Sequence, residues 1–461
     1  MKVVIAIDSL KGSLTSLEAG KAIENGIRRV YKDARIVIRP LADGGEGTVE
    51  ALTLGMNGRL EKVKVTDPLG RGVEAVYGIL EPSKLQKVKT AIIEMSSAAG
   101  ITLVAENERN PFKTTSYGVG EIIKDAIAKG CRHFIVGIGG SATNDGGIGM
   151  LQALGFKILD KDGKQVSFGA KGLSEIKTIR DESVLPKLKD CTFRIACDVN
   201  NPLCGKQGAS AVYGPQKGAT AAMVMQMDRW LADYAALSKE KYPNADMNKA
   251  GTGAAGGLGF AFLTYTNAVL ESGIKIVLEE TGLETHIKDA DIVITGEGRL
   301  DAQTVMGKAP IGVAGIAKKY DKKVIAFAGC VTEDAIACNE HGIDAFFPVL
   351  REVVLLSEAM NKENAEKNRD NHFNDYINWK QISELRKENV IKINNSILYG
   401  IYYKRTDETG TVSRQTWYRT VGNNGWKISI IGPNNTENIP QELLDAMRTI
   451  EFAKQKQTDS D

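Results

Sequence analysis

Glycines interleaved with hydroxyls, an amide and a carboxylate single out the stretch Ile135-Val-Gly-Ile-Gly-Gly-Ser-Ala-Thr-Asn-Asp-Gly-Gly147. It leaves an apolar run at 134–138, which reads as a buried strand, and enters residues 148–154, whose apolar spacing is helical. Strand, glycine loop and helix together aim backbone N–H groups and a helix N-terminus at an anion. Gly139 and Gly140 let the backbone come close, Ser141, Thr143 and Asn144 offer donors, and Asp145 adds a carboxylate. A carboxylate beside a phosphate repels it, so Asp145 points to a bridging Mg²⁺ or a substrate hydroxyl. No Lys-Ser or Lys-Thr pair follows the glycines, so this is not a Walker A loop. A tight turn needing glycine for sterics alone accounts for the glycines equally well. The polar groups between them favour a ligand site.

Similar chemistry recurs elsewhere. Asp8, Ser9 and Lys11 follow the first apolar run, and Asp43, Gly44, Gly45 and Glu46 occupy a second glycine loop. Asp198 follows the apolar run at 192–197 and opens a Pro-containing loop. Glu297, Arg299 and Asp301 fall together in one turn after a strand at 290–295, where arginine suits bidentate contact with phosphate or carboxylate.

Each of these groups stands at the end of an element that must hold it. Strands at 2–8, 35–39, 90–94, 134–138, 192–197, 290–295, 323–328 and 345–349 alternate with helical segments, which predicts a mostly parallel α/β sheet. Open α/β sheets bind ligands at the C-terminal ends of their strands. Ser13 or Thr15 caps the first helix, and a helix starting at Thr48 places its N-terminus behind the second glycine loop. Residues 62–66 and 73–79 form one hairpin, and 156–166 form another with an Asp-Gly turn. The run Gly251-Thr-Gly-Ala-Ala-Gly-Gly-Leu-Gly259 suits close packing as well as ligand contact.

Composition narrows the classes. With 59 basic and 57 acidic side chains among 461 residues, no net field draws nucleic acid or a membrane surface. No apolar run approaches ~18 residues, so a membrane span is not expected and the protein reads as cytoplasmic. The six cysteines include no CxxC pair and read as reduced structural thiols; the four histidines lie outside the glycine loops.

Beyond about residue 368 the character shifts. Three of the four tryptophans (Trp379, Trp417, Trp426) lie there. A helix at 377–389, strands at 397–404, 412–420 and 426–431, and a disordered end at 454–461 are expected, making 369–461 a separate small α+β module.

Ala6-Ile-Asp-Ser-Leu-Lys-Gly-Ser13, Pro40-Leu-Ala-Asp-Gly-Gly-Glu-Gly-Thr48, Gly139-Gly-Ser-Ala-Thr-Asn-Asp-Gly-Gly147 and Thr295-Gly-Glu-Gly-Arg-Leu-Asp-Ala-Gln-Thr304 together resemble the bacterial type-I glycerate kinase family. Asp67-Pro-Leu-Gly70 and Asp198-Val-Asn-Asn-Pro202 are similar too, and the resemblance covers about residues 1–367. It implies two α/β lobes around a cleft, a Rossmann-like parallel sheet in one of them, with 1–60 and 290–367 in the same lobe. It also implies ATP-dependent, Mg²⁺-supported phosphorylation of D-glycerate, with 2-phosphoglycerate as product. Another small-acid or sugar kinase and a non-catalytic nucleotide-binding regulator are the rival expectations. Under the resemblance Asp198, Asp43, Lys11 and Arg299 are the catalytic candidates. Phosphate and substrate fall to Asp8, Ser9, Gly44, Gly45, Arg71, Gly139, Gly140, Ser141, Thr143 and Asn144; metal falls to Asp145, Glu297 and Asp301. Lys11, Arg71 and Arg299 compete for the glycerate carboxylate. The module at 369–461 departs from the family pattern and leaves its role and the oligomeric state, a homo-oligomer included, open.

Overall fold

The computed structural model describes residues 1–349 apart from 11, 43, 44, 46, 84 and 85, and beyond them the strand backbones at 382–387, 391–393, 396–407, 410–421 and 424–432. The first strand, β1 (Lys2–Ile7), is buried at all six positions. Val3, Ile5 and Ile7 pack with the helix Ser16–Val30, while Val4 and Ala6 join a separate core that includes the helix Ala309–Lys319. Burial on both faces marks a parallel strand covered by helices on two sides. The first sheet runs β13 (Ala345–Pro348), β12 (Lys323–Val331), β11 (Ile292–Leu300), β1, β2 (Arg35–Ile38), with every pair parallel. Thr15 caps the helix Ser16–Val30 in a capping box with Glu18, one of the two caps the sequence offered.

The second sheet is formed by the chain between these strands. Its order is β10 (Ala268–Glu271), β9 (Thr192–Ala196), β6 (His133–Gly137), β5 (Thr90–Glu94), β4 (Gly72–Leu80), β3 (Arg59–Thr66). It is parallel from β10 to β5 and antiparallel across β5, β4 and β3. Phe134 and Phe193 stack on one face, ring centres 4.7 Å apart. On the other face Ile92, Ile135 and Ala196 share a core with Val4 and Ala6 of β1. Leu52 of the helix Thr48–Gly55 and Ile276 of the helix Gly273–Glu280 belong to that same core, so it joins the two sheets.

One local expectation gains a partner and two are corrected. The hairpin expected at 156–166 closes through its Asp-Gly turn, with the Asp160 amide on Lys164 O at 2.8 Å and the Val166 amide on Ile158 O at 2.9 Å, but the longer ladder of β7 (Lys157–Leu159) is with β8 (Thr178–Arg180). The Gln165 side chain adds bonds to the Ile158 amide and the Phe156 carbonyl, bracing that short hairpin. Residues 296–300 continue β11 rather than turning, because Glu297 and Arg299 pair in register with Ala328 and Cys330 of β12. Residues 382–387 of the expected helix at 377–389 form β14 (Ile382–Lys387), paired antiparallel with β16 (Ser396–Asp407). Long-range ladder pairing outweighs local spacing there. With β15 (Ile391–Ile393), β17 (Gly410–Val421) and β18 (Asn424–Gly432) they make an antiparallel sheet that matches the expected strands. The expected tail at 454–461 lies outside the described residues.

All six cysteines are unpaired thiols, and burial pushes those of Cys131 and Cys204 up to about 11 and about 12. Among the described residues no helix is long and apolar enough to cross a membrane.

Candidate active site

Parallel pairing places the residues that follow β1, β2 and β11 along one edge of the first sheet, and those that follow β5, β6 and β9 along one edge of the second. One hydrogen bond ties these edges together, and a second closes the edge of the second sheet between the ends of β9 and β10. The Val49 amide, in the first turn of the helix Thr48–Gly55, donates to Glu94 Oε1 at 2.8 Å, and Glu94 closes β5. The Gly273 amide, at the start of the helix Gly273–Glu280, donates to Asp198 Oδ1 at 3.1 Å, just past β9. Each bond sets a carboxylate against a helix N-terminus, where the peptide dipoles favour negative charge. The helix expected to point its N-terminus at a ligand therefore presents its Val49 amide to Glu94.

On the first edge, the Asp8 amide donates to Gly296 O at 2.9 Å, which brings Asp8 beside the start of the Glu297 segment. Asp8 is buried and its Oδ1 accepts from the Ser9 amide at 2.7 Å. A small cavity of about 50 Å³ opens beside it, lined by Asp8, Ser9, Leu41, Gly47 and Glu50 among others. Alternation along β11 puts Glu297, Arg299 and the following Asp301 on one side of the strand. Glu297 Oε1 accepts from Thr304 Oγ1 at 2.7 Å, and Arg299 Nε approaches Asp301 Oδ2 at 3.2 Å. Lys308 Nζ lies between the acids, 3.5 Å from Asp301 and 3.8 Å from Glu297.

On the second edge, Gly139 and Gly140 are exposed and everything from Ser141 to Met150 is buried. Gly140 adopts φ 70°, a left-handed conformation that costs glycine little. Asp145 has no solvent exposure. Its Oδ2 accepts from the Ser116 amide and hydroxyl, both at 2.8 Å, and from the Gly149 amide at 3.4 Å, while Oδ1 takes the Gly147 amide at 3.1 Å. Burial raises its carboxyl above its ordinary value, although these donors work against the rise. The metal role expected for Asp145 is thus set against a carboxylate already saturated by the fold. Asn144 Nδ2 donates to Ser210 Oγ at 2.9 Å, so it too faces inward. The glycine run at 251–259 resolves in favour of close packing: the Gly146 amide donates to Gly256 O at 2.9 Å, and a Cβ on Gly257 would lie 2.7 Å from Gly146 Cα.

Arg71 pairs with Asp67 at 2.8 Å and Glu108 at 3.4 Å, within its own β3–β4 turn and the neighbouring segment. No described bond joins it to Asp8, Asp198 or the β11 acids. Lys11, Asp43 and Gly44 lie outside the described residues. Asp198 is exposed, with its carboxylate bonded to the Gly273 amide. Sequence reading missed Lys308, Ser116 and Lys217. Lys217 sits in a turn before Gly218, where a lysine reads as solvated, yet it is 2% exposed and bonds Ser141 and Thr143.

Parallel sheets that offer carboxylates, cations and exposed glycine backbone at joined C-terminal edges define an α/β protein built to hold a small anionic ligand. Residues 3–375 match the Glycerate kinase family, and the chain belongs to it. It is 50% identical to the glycerate kinase of Haemophilus influenzae over 360 residues, covering 78% of this chain and 94% of that one. To the glycerate 2-kinase of Escherichia coli K12 it is 48% identical, covering 78% and 93%. A crystal structure assigned as glycerate kinase 2 from Salmonella typhimurium LT2 superposes with a TM-score of 0.74 at 47% identity, covering 81% of this chain and 96% of the other.

Proposed function

We propose that the chain transfers the γ-phosphoryl group of ATP to D-glycerate and releases 2-phosphoglycerate. Family membership supports the reaction class, and ATP is the donor that a kinase implies. The Val49–Glu94 bond between the two edges supports the placement, with the exposed Gly139–Gly140 backbone and Asp198 on one edge and Asp8 and the β11 acids on the other. Phosphoryl transfer needs positioning and charge neutralisation more than covalent chemistry.

In this reading Gly139 and Gly140 receive phosphate oxygens through their backbone amides, and Arg299 and Lys11 supply cationic charge. Asp198 accepts the proton of the attacking glycerate hydroxyl, with the Gly273 amide holding its carboxylate in place. Mg²⁺ binding asks for hard oxygen ligands and uses one or two carboxylates plus phosphate oxygens. Glu297 and Asp301 fit that demand as hard oxygen donors, and the cation they share, Lys308, stands at long contacts of 3.8 and 3.5 Å. When bound there the ion would neutralise charge on the transferring phosphates. Use of ATP as donor supports a cytoplasmic reaction.

A coupled assay of ADP release with D-glycerate tests the proposal, with NMR of the product deciding between the 2- and 3-positions. Folded, Mg²⁺-supplied protein that releases no ADP on addition of D-glycerate would refute it.

A further inference from the structure

The segment 198–217 leaves the carboxyl edge of the second sheet at Asp198 and returns behind the glycine loop. It makes contacts at three places. Tyr213 donates its hydroxyl to Asn201 Oδ1 at 2.6 Å, close after Asp198. Ser210 Oγ accepts from Asn144 Nδ2 at 2.9 Å. Lys217 Nζ donates to Ser141 Oγ at 2.7 Å and to the Thr143 carbonyl at 2.6 Å. Taking an ammonium out of water costs several kcal/mol before any partner is found. An apolar side chain would fill the same space without that penalty, so packing alone does not explain a lysine there.

What the lysine fixes is the chain immediately after Gly140. On the near side, Gly140 O accepts from the Ile101 amide at 2.8 Å, and the Ala142 amide donates to Ala99 O at 2.9 Å. Gly139 and Gly140 bring no side chains to hold themselves, so external bonds set the loop's shape. Lys217 supplies two of them. Asp145, buried behind the same loop, offsets part of its charge.

We propose that Lys217 is a positioning residue for phosphoryl transfer. Acting through Ser141 and the Thr143 carbonyl, it holds the Gly139–Gly140 amides in the geometry that receives the phosphates of ATP, and it ties that loop to the loop of Asp198. The inference rests on the reading of that loop as the phosphate seat. Lys217 touches no substrate, so its loss acts on nucleotide affinity through the backbone.

The test is Lys217→Met in the full chain, checked for folding by thermal unfolding. Its KM for ATP should rise roughly tenfold or more while its KM for D-glycerate stays within about threefold, a split that general destabilisation does not produce. Calorimetric binding of ADP, which needs no turnover, should weaken by the same factor. Wild-type protein that binds ADP without phosphorylating glycerate would end the glycerate reading, and the ADP comparison would still judge Lys217. A folded Lys217→Met protein with unchanged ATP KM and ADP affinity overturns the inference, as does wild-type protein that binds no ADP. If Lys217→Met does not fold, Ser141→Ala removes one tether and should weaken ADP binding about threefold. Unchanged affinity in that variant overturns it equally.

Discussion

At the edge of the second sheet, Asp145 has no contact with solvent and accepts from three backbone amides and a hydroxyl. At the edge of the first, Glu297 takes the Thr304 hydroxyl and Asp301 the Gln303 amide, and the two acids share Lys308 at 3.8 and 3.5 Å, beside an Arg299 side chain that is 63% exposed. Both regions read alike in sequence, as acids among glycines. Their energetics differ. Fixed donors around a buried carboxylate cannot be exchanged without leaving them unsatisfied. Long contacts to a half-exposed lysine are worth little and can be given up to an incoming cation or phosphate. A cluster of acids becomes a ligand site where its partners are replaceable, and a brace where they are not.

The largest effect should come from Asp198→Asn, which keeps an acceptor for the Gly273 amide but removes the carboxylate proposed to accept the proton. Its kcat should fall by roughly 10²-fold or more. Near-normal kcat would move that role to another acid of the first edge. Glu297→Gln should come next, raising the Mg²⁺ concentration for half-maximal activity by about tenfold, because one hard ligand becomes neutral. An unchanged Mg²⁺ titration would end the contrast drawn between the two edges.

Asp145→Asn should act mainly on stability, lowering it by about 1–3 kcal/mol as fixed donors lose a charged acceptor. A shifted Mg²⁺ requirement in a folded Asp145→Asn protein would restore Asp145 to the metal set. Lys217→Met should also change how stability varies with pH. Burial lowers the Lys217 ammonium from 10.5 to about 7, with Asp145 opposing the shift. Between those values the unfolded chain binds more protons, so the native protein gains stability as pH rises. The variant should lack that rise, and parallel melting curves for both proteins from about pH 7 to about pH 10 would contradict it. The smallest effect is expected from ending the chain at Asn368, which should keep activity within a few-fold. This chain matches 93–94% of the length of its relatives using 78% of its own. A folded but inactive truncation would show that the C-terminal segment contributes to the site.

Strand positions in the first 349 residues were legible because their apolar runs are short, bounded and buried on both faces, as in β1 and β6. The candidate loops were legible as composition, but not which groups face inward. Nothing in the local sequence distinguishes Asp145 from Asp301; the difference is made by Ser116, distant in sequence, whose amide and hydroxyl close on Asp145. Lys217 was invisible for the same reason, since its partners lie more than seventy residues away. The hairpin at 156–166 was legible from its Asp-Gly turn, whereas the pairing of β7 with β8, about twenty residues on, had no local signal.

The strand order of the first sheet has a consequence during synthesis. β1 sits inside that sheet between β2 and β11, yet β11 begins at Ile292, after the whole second sheet has been made. At ribosomal rates of roughly 5–20 residues per second, the N-terminal strand waits some tens of seconds for its neighbour. During that time it presents an unpaired apolar edge, the kind of surface that recruits chaperones or other nascent chains. The inserted sheet can close first. The N-terminal strand, made earliest, is among the last to find its place.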